Sequence, residues 1–89
     1  MTSDRLHDAS LRFDYDDQRR ARLVERSVRP ELEELADERS RASVSRDGAT
    51  LSVRIEAGDL VALRAAANTW QTLIEVAERS AAAVDLVET

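Results

Sequence analysis

Three groups of side chains in this 89-residue chain are of types that can do chemistry. His7 could act as a general base, and Asp14, Asp16 and Asp17 could hold a cation. The aspartates lack the spacing and the glycine of a calcium loop, and a carboxylate there is better placed to cap a following helix. His7 lies in a segment that we predict to be a solvated tail, and we interpret the glutamates of residues 31–34 as a solvated charge run. We therefore expect no catalytic or metal site among them.

The composition excludes further kinds of chemistry. Cysteine is absent, so the chain has no thiol nucleophile and no cysteine-based zinc site. Two glycines are too few for a phosphate-cradling loop or for the G-x-x-G clamp of KH domains. Serine, histidine and aspartate occur, but no motif places them together. We predict a protein that is not an enzyme and needs no cofactor.

The charge of the chain is acidic, yet its basic residues are unusual. The net charge is −5, and all 13 basic residues are arginine. Two explanations stay open: a GC-rich genome, or a salt-loving organism such as a haloarchaeon, in which excess carboxylates keep proteins soluble. No secretory signal and no membrane-spanning run is apparent, so we expect a cytoplasmic protein without a membrane partner.

The first part of the chain predicts a strand followed by a helix. Apolar residues alternate with polar ones over residues 9–15, which indicates a strand with one buried face. Apolar residues at helical spacing then run to Pro30, which ends or restarts the helix. For residues 31–38 a further helix and a charged loop are both possible, and we favour a loop with a partly helical start. We predict flexible tails at residues 1–8 and 85–89 around a single domain at residues 9–84.

Residues 39–55 predict a β-hairpin. Asp47-Gly48 is a favoured two-residue turn, and the apolar sets on its two sides then meet on one face. This register places Arg41 opposite Arg54, with Arg12 on the same outer face of the sheet. Opposed like charges destabilise a sheet, so salt, a carboxylate such as Glu56 or an anionic partner must offset the repulsion. The face is therefore exposed and screened, a phosphate-contacting patch, or a contact for a carboxylate-bearing protein.

Residues 59–84 predict one long helix, since nothing in this segment interrupts it. One apolar stripe includes Leu60, Leu63 and Trp70, and we expect it to face the sheet. A second stripe lies beside it, so the apolar arc covers roughly 200° where about 100° suffices for packing on one surface. The predicted order is therefore β-α-β-β-α. We expect an α+β fold, a three-stranded antiparallel sheet with two helices on one face and a split crossover.

The start of this helix resembles a known family. Residues 57–69 read AGDLVALRAAANT, which is similar to the A-x-D-L-x-x-L-R-A-A-x-N-S segment of the Pcc-type subunit of the KEOPS complex. The upstream strand, helix, Pro30 and hairpin agree in order, so the resemblance covers about residues 9 to 80. Thr69 stands where the family usually has serine, and Trp70 is bulkier than expected there.

The resemblance implies a function. Pcc-type subunits are small dimerising proteins that scaffold the Kae-type threonylcarbamoyltransferase, which carries the active site. The complete complex converts an adenosine of tRNA to threonylcarbamoyladenosine. The small subunit contacts the remaining subunits of the complex only indirectly. The resemblance thus implies a homodimer, a Kae-type partner and contact with tRNA through the complex. The predicted partner-binding residues are Arg64, Ala66, Asn68, Thr69, Leu73 and Val76.

Two other classes of function stay open from the residues alone. The first is a stand-alone, KH-like RNA-binding module that uses Arg12, Arg41 and Arg54, and it would bind tRNA tightly with a steep salt dependence. The second is an unrelated homodimeric structural protein, which would associate only with itself. The residues themselves also predict a homodimer, because a chain this short buries only about 60% of the surface it exposes when unfolded and the second helix carries a surplus apolar arc.

Overall fold

The computed structural model describes the backbone of residues 7–88 and all of their side chains except those of residues 85 and 88. Its elements follow one another in the predicted order, with one short helix added between α1 and β2. They are β1 (His7–Asp14), α1 (Gln18–Val28), α2 (Glu31–Leu35), β2 (Ser40–Asp47), β3 (Thr50–Ala57) and α3 (Leu60–Glu88).

The three strands form one sheet in the order β1-β3-β2, and both pairings are antiparallel. The predicted α+β class and the split crossover are therefore confirmed. Exposed and less exposed residues alternate along the strands, so one face packs against the helices and the other faces solvent. The buried core lies between this inner face and the helices. Its members are Val24, Val28, Val44, Leu51, Val53, Ile55, Trp70, Ile74, Ala77 and Ala81.

The hairpin has a different register from the predicted one. Asp47 pairs with Thr50, so the two turn residues are Gly48 and Ala49, and Val44 lies opposite Val53. Gly48 takes a positive φ of 62°, whereas no other residue among those described does. A hairpin turn with positive φ at its first central residue selects glycine there. The prediction that Asp47-Gly48 forms the turn was therefore wrong by one residue.

The first two helices begin as the chemistry of their flanking residues dictates. The Asp17 carboxylate accepts the backbone N–H of Arg20 at 2.8 Å and caps α1, as the acidic cluster predicted. Pro30 precedes α2, and Leu32 and Leu35 pack against the core. This packing stabilises a helix of five residues, which is the predicted helical start of the segment, and residues 36–39 form the loop.

The long helix is confirmed. In its first turn, however, the side that faces the core is not the predicted one. Trp70 and Ile74 are buried as predicted, whereas Leu60 is 54% exposed and Ala62, assigned to the second stripe, is buried. Residues two apart in an α-helix differ by about 200°, so Leu60 points outward once Ala62 faces the core. None of the described helices is long and apolar enough to span a membrane.

The ends of the domain also differ from the predicted limits. β1 begins at His7, so this residue lies in a strand and not in a tail. At the other end α3 continues to Glu88, four residues past the predicted limit of 84. The predicted tail at residues 1–6 and the last residue of the chain lie outside the described residues.

Candidate partner surfaces

The segment that carries the family resemblance forms the entry to α3. Ala57 ends β3 and is fully buried, and the Gly58 N–H donates to the Arg39 carbonyl oxygen at 3.0 Å. The Asp59 carboxylate accepts the Ala62 N–H at 2.7 Å and so caps the helix. That hydrogen bond, followed by one from Arg39, lowers the pKa of Asp59. The first three residues of the segment therefore have structural roles.

Three exposed residues of the segment make no side-chain contact with a described residue that would give them a role in the fold. Leu60, Arg64 and Asn68 are all exposed and lie four residues apart, so they form one row along α3. No side-chain hydrogen bond or ion pair joins Arg64 or Asn68 to the part of the chain that the structure describes. This row is available to another chain.

The six predicted partner-binding residues do not form one surface. Arg64 and Asn68 belong to the exposed row, whereas Ala66 and Thr69 line a groove on another side of α3. Leu73 packs against the core, and Val76 is 47% exposed further along the helix. The Thr69 hydroxyl donates to the Ala65 carbonyl at 3.0 Å, within its own helix. The set is therefore divided between two sides of α3.

The groove beside Ala66 has a volume of about 220 Å³ and lies between α3, α2 and the start of β2. Its apolar lining comes from Leu32 and Leu35 of α2 and from Ala62, Ala66 and Trp70 of α3. Sequence periodicity assigned Ala66 and Thr69 to a surface of α3 that packs against another helix. In the structure α2 covers only part of that surface, and Ala66 and Thr69 line the uncovered part. The small side chains at these positions keep the groove open.

The outer sheet face does not have the arginine pair that the sequence predicted. Arg41 lies opposite Glu56, and Arg54 lies opposite Ser43, because the hairpin register is shifted by two residues. Arg54 instead pairs with Asp8 across β1 and β3, at 2.8 Å. The prediction that Arg41 and Arg54 lie opposite each other and repel is therefore wrong.

Carboxylates balance the arginines over the whole outer sheet face. Arg12 pairs with Asp14 at 3.3 Å, and the Thr50 hydroxyl donates to Asp14 at 2.8 Å. The Thr50 bond first, and then Arg12, lower the pKa of Asp14. Only Arg41 of the three arginines forms no ion pair with a described residue. The face carries these three arginines and four carboxylates, which are Asp8, Asp14, Asp47 and Glu56.

The candidate chemical groups stay apart in the fold. His7 lies in β1, Asp17 caps α1, and Asp14 contacts Arg12 and Thr50. Within residues 7–88, no three histidine, aspartate or glutamate side chains gather where they could hold a metal ion.

The β2 edge of the sheet is largely closed by contacts that the sequence analysis missed. Asp37 accepts the Ser40 N–H on its carboxylate at 2.9 Å and donates its own N–H to the Ser40 carbonyl at 3.1 Å. Arg29 donates to the Val44 carbonyl at 3.3 Å. These bonds use backbone groups of Ser40 and Val44 that point away from β3, which hinders pairing with another strand along this edge. The sequence signal for Asp37 was weak, an acidic residue shortly before a strand.

The β1 edge, in contrast, has backbone groups that are free to pair with another strand. Backbone groups alternate in direction along an antiparallel strand. Since Ser40 and Val44 point away from β3, the pairing register leaves the N–H and C=O groups of Asp8, Ser10 and Arg12 pointing away from the sheet. No hydrogen bond from a described residue outside the strand reaches them. A strand of another chain could pair here.

The described part of this small α+β domain thus has two surfaces to which another chain could bind, an open sheet edge and an exposed row on the longest helix. A family model described as "Transcription factor Pcc1" matches residues 8–82, which is most of the chain. The chain belongs to this family, and the predicted resemblance to Pcc-type subunits is confirmed. A search of curated proteins finds no match.

The fold also matches a solved structure. The chain is similar to a chain in the crystal structure of the binary complex Gon7-Pcc1, with a TM-score of 0.67 and 15% sequence identity. The match covers 94% of this chain and 98% of that chain. At this identity the likeness supports the fold alone.

Proposed function

We propose that this chain is a non-catalytic, dimerising subunit of a KEOPS complex that holds the Kae-type threonylcarbamoyltransferase for modification of tRNA. The observation that carries the proposal is the family match over residues 8–82, which includes the whole α3 entry segment. The solved chain of similar fold was crystallised in a complex with Gon7, and our proposal extends association with another subunit to this chain. Because the chain belongs to this family, the alternative of an unrelated structural protein is dropped.

Docking of the Kae-type subunit on α3 is supported by surface that the fold itself does not use. Leu60 and Val61 are 54% and 71% exposed, and Arg64 and Asn68 extend this surface with polar groups. On the other side, Ala66 and Thr69 leave a groove into which a partner's side chains could pack. Apolar side chains at the centre with charged and amide groups at the rim are the usual composition of a protein interface.

A homodimer through the β1 edge is the second part of the proposal. Antiparallel pairing of two β1 strands about Ser10 would place Asp8 of one chain opposite Arg12 of the other. Opposite charges across adjacent strands stabilise a sheet. The two sheets would then form one sheet of six strands. The blocked β2 edge supports this choice of edge.

A non-catalytic role fits the way in which the described carboxylates are used. Asp17 and Asp59 cap helices, Asp14 and Glu25 accept hydrogen bonds from arginine, and Asp37 closes the β2 edge. Each of these groups therefore has a structural partner. A general acid or base needs a pKa near the working pH, whereas the pKa values of Asp14, Glu25 and Asp59 are shifted downward.

Co-purification from the native cytoplasm tests the proposal. The tagged full chain should bring down a Kae-type protein, and the captured complex should carry out the tRNA modification. A chain recovered only with itself would contradict the proposal. Recovery of the chain from the cytoplasmic fraction also tests the predicted location. Repeating the purification at molar salt tests the prediction of a salt-loving source, because a halophilic complex should stay assembled at that salt concentration.

A further inference from the structure

The exposed side of α1 carries a concentration of positive charge that the sequence analysis did not use. Residues 18–29 contain five arginines and one acidic residue, Glu25. Ala21, Val24 and Val28 are buried, so the opposite side of the helix faces solvent. Arg19, Arg22 and Arg26 are exposed there. We name these three residues the α1 stripe, and its ends are about 10 Å apart along the helix.

The one carboxylate of α1 is not available to Arg22 or Arg26. Glu25 already accepts Arg46 at 2.8 Å and Arg29 at 2.6 Å. Arg22 and Arg26 form no ion pair with any residue in the part of the chain that the structure describes. The outer sheet face, in contrast, carries more carboxylates than arginines. The α1 stripe is therefore the stronger candidate for binding an anion.

We propose that the α1 stripe binds the phosphate backbone of RNA. That the RNA is tRNA rests on the proposed function. Guanidinium groups bind phosphate oxygens through two parallel hydrogen bonds. Their spacing along one side of a helix allows them to follow several phosphates of one strand. Such contacts read backbone shape and not sequence, which suits a subunit of a complex that handles several tRNAs.

The surroundings of the stripe favour RNA over a membrane or a protein partner. The apolar residues of α1 pack against the core, including the partly buried Leu23, so the helix cannot insert an apolar face into a bilayer. Protein interfaces have cores depleted of charge and enriched in aromatic residues, and the stripe offers only charge. An RNA backbone needs no more than that.

The net charge of −5 does not prevent this contact. At about 0.1 M salt the Debye length is about 10 Å, so an approaching phosphate is affected mainly by charges within that distance. Around Arg22 and Arg26 these charges are mainly arginines, whereas Asp16 and Asp17 lie at the N-terminal end of α1, beside Arg19. The acidic residues of more distant elements are screened.

The test compares tRNA binding of the full chain with that of matched variants, by fluorescence anisotropy between 0.05 and 0.2 M salt. Arg22→Gln with Arg26→Gln should weaken binding about tenfold at about 0.1 M salt and lower the slope of log K against log salt by about two. Arg22→Lys with Arg26→Lys retains the charge and should keep most of the affinity. Arg79→Gln, an exposed arginine of α3, is the control for position and should change affinity less than about twofold.

Three results would overturn the inference. The first is a full chain that does not bind tRNA at 0.05 M salt, and the second is an unchanged affinity in the double glutamine variant. The third is equal competition by polyglutamate at matched charge, which would indicate an acidic protein segment. A loss of affinity confined to Arg41→Glu with Arg54→Glu would assign the contact to the outer sheet face and likewise contradict the α1 stripe. Retained co-purification with the Kae-type protein in the α1 variants separates this inference from the proposed function.

Discussion

Tyr15 and Glu78 are joined by a hydrogen bond across 63 positions of the chain. The phenolic oxygen of Tyr15 donates to Oε2 of Glu78 at 2.7 Å in a partly buried setting. Burial first, and the hydrogen bond to Glu78 second, raise the pKa of Tyr15 above its ordinary value of 10. The bond ties the connection between β1 and α1 to the middle of α3. It therefore holds the long helix in position over the sheet.

Removing the Tyr15 hydroxyl tests this bond. Tyr15→Phe should lower the free energy of unfolding by about 1.5 kcal/mol, because the bond has a charged acceptor and lies partly out of water. Urea denaturation measures the change. In the background of Glu78→Gln the same substitution should cost less, and equal costs in the two backgrounds would show that the two residues are not coupled.

Glu25 should make stability depend on acid pH. Hydrogen bonds from Arg46 first and Arg29 second lower the pKa of Glu25 below its ordinary value of 4.5. A group with a lowered folded-state pKa stabilises the fold above its unfolded pKa, and this contribution disappears as the pH falls through the folded value. Glu25→Gln should therefore cost about 1 kcal/mol at pH 7 and progressively less below pH 4.5. Glu33→Gln on α2 is the control, and a cost for Glu25→Gln that does not change with pH would contradict this reading.

The turn of the hairpin should be sensitive to the residue at position 48. No atom lies within 4 Å of a Cβ built on Gly48, but its φ is +62°. The cost of Gly48→Ala is therefore backbone strain and not a clash, about 1 kcal/mol. Gly48→Asn should cost less, because asparagine tolerates positive φ. Thermal unfolding of the two variants gives the order, and equal losses would mean that the strain argument is wrong.

The proposed dimer can be tested at each edge of the sheet. Ser10→Pro removes an outward N–H from the β1 edge and should yield a monomer with unchanged circular dichroism. Ala42→Pro removes the corresponding group from the β2 edge and should leave the dimer intact. Sedimentation velocity at tens of micromolar in high salt measures both. An unaltered chain that sediments as a monomer, or a dimer lost only in the Ala42 variant, would exclude the β1 edge.

The docking surface on α3 can be tested with arginine substitutions, which preserve helix propensity. Ala66→Arg and Thr69→Arg should fill the groove with bulk and charge and reduce recovery of the Kae-type protein at least tenfold. Thr72→Arg, an exposed threonine outside the predicted set, is the matched control. Undiminished recovery with the fold intact would move the docking site away from this side of α3, to the row at Leu60 and Arg64 or to α1 around Leu23.

Hydrophobic pattern and turn chemistry predicted the sheet, the crossover and the long helix, because each depends on local periodicity. The hairpin register escaped prediction for a physical reason. Shifting a strand pair by two residues keeps every side chain on its own face, so Val44 is buried in either register. Only the turn distinguishes the two, and Asp47-Gly48 and Gly48-Ala49 both place glycine at a central position.

The surfaces could be predicted only in part. The resemblance located the α3 entry segment, and periodicity identified its small residues. Periodicity could not show that Leu60 points outward, because that depends on which side of the first helical turn packs on the sheet. Contacts between distant residues, such as Arg54 with Asp8, also determine which cations remain unpaired. No local pattern contains that information.

The bonds that Asp37 makes to Ser40 would limit how large an assembly built through the sheet edges could grow. A sheet with two open edges can add copies without end and produces fibres. A sheet with one edge closed can add one neighbour and then presents only closed edges. In the proposed dimer, self-association through β1 would therefore stop at two copies, and the Asp37 side chain in the loop before β2 would hinder the growth of filaments.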